Sequence, residues 1–279
     1  MRRLSVATIV FLLLAGSAFS QKPVSLKYNF AAGDVYRYAD TLVVQTTQEM
    51  MGQEMKVSQN ISVVTRFVVD AVISGGGASL ITSNDTMLVK VKNPRVDTTI
   101  VPVEILHKRN RLTVTPLGDI TAREVIDSVR VPMLMRGGGI GSREIMRLPV
   151  LSANPVKPGE KWTSSKVDST SAEGGSSVLS MTMEYTFVGR EKYAGRACVK
   201  LAYTGKLEVN SKSKMGGMDV FTEGTGKLTG VVYFDDRAGV FVADEGKTDM
   251  EMTAALTGQQ NMTIPISSTT TMKHVLLAN

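Results

Sequence analysis

Cysteine is nearly absent from this 279-residue chain, where Cys198 stands alone. One thiol excludes an intramolecular disulfide and any cysteine-based metal centre. Cys198 itself is expected to be an inert small residue in a strand, on the face that carries Lys200. Histidine is as scarce. His107 and His274 lie far apart with no partner at ligand spacing, so zinc and non-haem iron find no donor set. Each imidazole is expected at the surface or half-buried. No Lys/Arg block carries interleaved aromatic rings, which removes the pattern that tracks phosphates and stacks bases. Nucleic acid is therefore not an expected partner. Long runs at helical spacing are missing too, the best candidates being Thr121 to Val129 and Ser142 to Met146. No later segment is apolar over the length that a membrane-spanning helix needs.

What is present starts at the N-terminus. Arg2 and Arg3 precede an apolar stretch of 11 residues, Leu4 to Leu14, and small residues follow from Ala15 to Ser20. That order is the anatomy of a secretory signal peptide, residues 1–20, with cleavage before Gln21. No cysteine sits near that point to take a lipid anchor. Removal of these residues takes away two arginines and leaves 30 basic against 26 acidic side chains, a mild net charge of +4. The expected protein is exported, periplasmic or extracellular, and not lipid-anchored.

Period-two alternation dominates the rest. Met55, Val57, Ile61, Val63 and Phe67 share one face of a strand. Leu179, Met181, Met183, Tyr185 and Phe187 do the same, as do Ala197, Val199, Leu201, Tyr203, Leu207 and Val209. The fold class is all-β: antiparallel strands in a curved open sheet, half-barrel or sandwich. Three methionine-rich stretches fall at expected hairpin tips. In TTQEMMGQEM, a four-residue loop would set Met50 opposite Met55, Leu42 opposite Val63 and Tyr38 opposite Phe67. In KMGGM, a Gly216-Gly217 turn would oppose Met215 to Met218 and Val199 to Phe234. In DMEMTAALTGQQNM, Leu256 would face Met262, and Met252 would face Ile266. The expected apolar face thus includes Met50, Met55, Met181, Met183, Met250 and Met252. Thioethers ligate Cu(I), but methionine is also a common filler of cores, and packing is the expected role.

The chain also reads as duplicated. FAAGDVYRY (Phe30 to Tyr38) matches VKPGEKWTS (Val156 to Ser164), and LTVTPLGDIT (Leu112 to Thr121) matches VYFDDRAGVFV (Val232 to Val242). The offsets, 126 and 121 residues, are similar and in the same order. The expected organisation is a first β half at 21–135, a Gly/Pro-rich linker at 136–158 and a second β half at 159–279, packed as one unit. GDVYRY, QEMMGQEMKVSQNISVVTRFVVDAV, PVKPGEKWT and MTIPISSTTT, in that order, make the chain similar to a family of secreted bacterial proteins known as domain of unknown function 6263. The resemblance implies a signal peptide, a duplicated β-rich body and an envelope address. It brings no catalytic residue.

The sequence offers no motif for catalysis. EGKT (Glu245 to Thr248) lacks the glycine spacing and the helix of a phosphate loop, and RGGGIGS lacks the GxGxxG spacing. Asp235 and Asp236 are too few for a calcium cage. No GxSxG elbow occurs. The expectation is a non-enzymatic envelope protein without cofactor, binding an apolar small molecule or lipid on a concave β face. The alternative is a structural module with a filled core and an envelope protein partner. Mass analysis of secreted material is expected to find Gln21, or its cyclised form, as the first residue; retention of residues 1–20 would overturn the export reading.

Overall fold

The computed structural model of the protein describes residues 22–50, 52–128, 148–172, 175–215, 218–257 and 261–278. Alternating, β-branched sequence becomes strand almost throughout. The strands are β1 (Val35–Met50), β2 (Gln53–Val72), β3 (Ala78–Lys92), β4 (Asp97–Ile100), β5 (Asn110–Val114) and β6 (Ile120–Val125). They continue as β7 (Lys161–Ala172), β8 (Gly175–Tyr193), β9 (Arg196–Met215), β10 (Met218–Asp235), β11 (Val240–Thr257) and β12 (Met262–Leu276). All lie in one open, curved antiparallel sheet in the order β6-β5-β3-β2-β1-β12-β11-β10-β9-β8-β7, with β4 on the outer half of β3. Each half of the chain is a run of neighbouring strands, and the first and last strands join the halves at the centre. β2 and β9 reach 20 residues, or about 65 Å at ~3.3 Å per residue, so their far ends extend well beyond the core.

Two expectations are corrected. Thr121 to Val125 is not helical: it belongs to edge strand β6, whose backbone pairs with β5. Its β-branched Ile120, Thr121 and Val125 suit a strand better than a helix. Val129 and the Ser142 to Met146 candidate lie outside the described residues. In the first hairpin, Met50 faces Gln53 and Met55 faces Gln48, so Leu42 lies opposite Ile61 and Tyr38 opposite Thr65. The loop is two residues long rather than four, with Gly52 in the left-handed region at φ 73°. A shift of two preserves which side chains face inward, so the alternation fits both registers. The other two hairpins pair as expected: Met215 with Met218, Val199 with Phe234, Leu256 with Met262 and Met252 with Ile266. Gly216, Gly217 and residues 258–260 lie outside the described residues.

The concave face is crowded, and glycine makes room on it. Met183 lies directly across from Gly205, Met252 from Gly224, Met250 from Gly226 and Met272 from Gly246. A Cβ at Gly205 or Gly224 would overlap the facing thioether, and one at Gly226 would sit 2.8 Å from Met250 Cγ. Tyr203 uses two such gaps. Its hydroxyl passes over Gly230 of β10 and Gly246 of β11, where a Cβ would collide with it. Large inward side chains therefore lie flat along the sheet instead of standing up from it.

One end of the curved sheet is closed by irregular chain. Val24 bridges Val156, Tyr28 N–H donates to Pro116 O (2.8 Å), Asn29 N–H to Gly239 O (2.9 Å) and Leu151 N–H to Leu117 O (2.8 Å). Leu26, Tyr28, Leu148, Leu151 and Val156 are buried with Phe187, Phe234 and Phe241 in the main core. Residues 148–158 of the expected linker are thus partly core, while 136–147 lie outside the described residues. The turns entering β1 and β7 are built alike. Gly33 (φ 89°) donates to Val69 O and Gly159 (φ 90°) to Phe187 O; Val69 and Phe187 return the bond to Asp34 O and Glu160 O.

Gly226→Ala is expected to cost about 1–3 kcal/mol by overpacking. Combined with Met250→Ala, it should cost less than the two single changes added together, because the clash is with that side chain. Urea unfolding of the single and double variants measures the coupling, and strict additivity would refute the packing of Met250 over Gly226.

Candidate functional site

Where the curved sheet approaches itself, the edge strands β6 and β7, which do not pair with each other, share a cavity of about 90 Å³. Its apolar wall comes from Leu179, Met181, Met183 and Tyr185 of β8, Leu207 and Leu228 of the next two strands, and Leu42 and Met272 beside the central seam. Leu148 and Val150 close it from the irregular segment, and Trp162 Nε1 donates to Val150 O at 2.9 Å, fixing that segment against β7. Polar groups come from the two edges: Asp119 and Arg123 beside β6, and Ser164, Lys166 and Asp168 on the inward face of β7. Lys166 spans the seam, its Nζ donating to Ile120 O at 3.2 Å and standing 3.9 Å from Asp168. Burial lowers the Lys166 pKa, outweighing the opposite pull of Asp168 and Asp119.

The expected methionine face divides. Met181 and Met183 line the cavity, and Met250 and Met252 belong to the same core, packed over their glycines. Met55 lies apart on the first hairpin, half-buried, with Gln48 Nε2 donating to its sulfur at 3.8 Å. The side chain of Met50 lies outside the described residues. Met272 was not expected on this face; it lines the cavity beside Leu42, its cross-strand partner.

The row below Leu42 and Met272 is polar and buried. His274 of β12 pairs with Asp40 of β1 on one side and Asp244 of β11 on the other. All three are nearly inaccessible, at 8%, 3% and 3% exposure, which corrects the expectation of a surface or half-buried His274. Its Nδ1 contacts an Asp40 oxygen, Thr65 donates to the other Asp40 oxygen at 2.8 Å, and Tyr203 donates to Asp244 at 2.9 Å. The imidazole also stacks on Tyr38 (4.6 Å between centroids) and Phe241 (4.9 Å). Two carboxylates on opposite sides of one ring do not converge on a point. Among the described residues, no group of three or more His, Cys, Asp or Glu is arranged to hold a metal ion. Cys198 is buried on the other face with Tyr233, Val240 and Val242. Burial pushes its thiol up to about 11, away from the reactive thiolate at neutral pH.

No family model matches the chain, and no curated protein matches it. Solved structures similar to it include Pseudomonas aeruginosa OccK2 in complex with glucuronate, at 6% identity and TM-score 0.30, covering 89% of this chain and 100% of that one. The outer membrane channel of Pseudomonas putida F1 gives 8% identity and TM-score 0.21, covering 92% and 99%. The hypothetical lipoprotein YmcC of Escherichia coli gives 14% identity and TM-score 0.19, covering 91% and 92%. Likeness this loose transfers neither fold nor role. Among the described residues, no helix is long and apolar enough to cross a membrane.

Asp40→Ala leaves the buried His274 Nδ1 and the Thr65 hydroxyl without their acceptor and is expected to cost about 1–3 kcal/mol. Lys161→Ala, at the exposed bridge to Glu184, should cost less than about 1 kcal/mol. Urea unfolding of both variants compares them, and equal small losses would show that the buried row contributes little.

Proposed function

We propose that this is an exported envelope protein that acts by binding an apolar or lipid ligand in its concave cavity, without catalysis. The supporting observation is the cavity itself. It is walled by flexible thioethers and leucines, and it opens where two sheet edges face each other without pairing. A few polar groups beside a mostly apolar wall are the usual make-up of a small-molecule site. Methionine lets such a wall adapt to its occupant. The signal-peptide anatomy of residues 1–20 and the resemblance to secreted bacterial proteins support the envelope address.

Gentle purification from the native host, solvent extraction and mass spectrometry are expected to recover a lipid or other apolar molecule in stoichiometric amount. Extracts of wild type without such a molecule, together with no uptake of added lipid, would favour the interaction module with a filled core.

A further inference from the structure

Lys166 is a long cation placed where an apolar residue would complete the wall. On β7 it lies opposite Met181, so its stem runs along the thioether side of the cavity while its ammonium reaches the seam. An ammonium has three donors to place. Among the described residues its hydrogen bond goes to a neutral carbonyl, Ile120 O, and Asp168 stands at 3.9 Å, beyond hydrogen-bonding range. Asp119 and Arg123 flank it from β6 with opposite signs. Burial, aided by the Arg123 guanidinium, holds the ammonium's pKa down against the pull of the two carboxylates. On the seam side of the sheet, Thr270 presents a second unmet polar group to the same cavity: its hydroxyl is buried and has no hydrogen-bond partner among the described residues.

Size narrows the occupant. At about 90 Å³ the cavity is well below the roughly 300–1,000 Å³ of sites for drug-sized ligands, so a two-chain lipid does not fit between these walls. A single short chain of about eight carbons entering among methionines does. Resting on the apolar-ligand reading above, we propose that the cavity takes a single-chain amphiphile with an anionic head, of the medium-chain fatty-acid class. The head exchanges the Ile120 carbonyl for a charge-assisted bond to Lys166, and the tail lies along Met181, Met183 and Met272. Such an exchange favours the anion because an ionised acceptor binds an ammonium about twice as strongly as a neutral one.

Equilibrium dialysis with octanoate, octyl phosphate and octanol tests this on the full mature chain. Wild type is expected to bind both anions at least tenfold more tightly than the alcohol. Lys166→Met, which keeps the aliphatic stem, should bind all three at the level of the alcohol, and Lys166→Arg should retain the preference. Equal binding of acid and alcohol by wild type, or an undiminished preference in Lys166→Met, would overturn the head-group assignment and leave the apolar site standing. If wild type binds none of the three, both readings fail. Should Lys166→Met not fold, the acid-to-alcohol ratio of wild type decides alone.

Discussion

Curvature sets the terms for everything on the inner face of this protein. Bending a sheet brings its concave side chains together, so the inner surface has less room per residue than the outer one. The chain meets that constraint by placing glycine directly across from a long side chain, at Gly205, Gly224, Gly226 and Gly246. Glycine weakens a strand on its own account. Here the neighbouring thioether lies over the bare backbone and regains contact area. Gly230 and Gly246 serve a polar purpose by the same means, since they let Tyr203 cross β10 and reach Asp244 on β11.

The inner face is graded as a result. At the closed end, Phe187, Phe234, Phe241, Tyr28 and Leu26 fill the space between sheet and irregular chain. Next comes the Asp40–His274–Asp244 row, whose hydroxyl partners come from β2 and β9 on either side of it. Above that, methionines, leucines and Lys166 surround the cavity. Buried polar contacts add little net stability, but their geometry is directional where apolar packing is not. At the central junction of the sheet, that directionality specifies which residue of β12 meets which residue of β1.

The sequence states face more clearly than partner. Alternation placed Met183, Tyr185, Phe187, Leu201 and Tyr203 on the buried side, and there they are. It also located the Met215–Met218 and Leu256–Met262 pairs, where turn position leaves little freedom. The first hairpin slipped by two because Val44 and Leu42 suit Ile61 equally well. His274 was misjudged because its carboxylates belong to strands at the start and near the end of the chain, and no local pattern links them. Lys166 had no signal either: along Trp162, Ser164, Lys166 and Asp168 the inward face of β7 is mostly polar, so alternation cannot tell in from out. Glycines at 224, 226 and 230, spaced by even numbers on an otherwise apolar face, were a readable sign of these gaps that sequence reasoning did not use.

The pairing of β1 with β12 imposes an order on folding. Every other strand finds a neighbour close in the chain, so each half can zip up as hairpins before the halves join. The central junction waits for the last strand. Until Met262–Leu276 docks, β1 presents a long, valine- and threonine-rich free edge, which is a template for pairing with the wrong chain. Joining it to the far end of the polypeptide is also the contact with the greatest loop-closure cost, which makes it the slow step. A chain of this kind passes through an incomplete state with the middle of its future sheet uncovered.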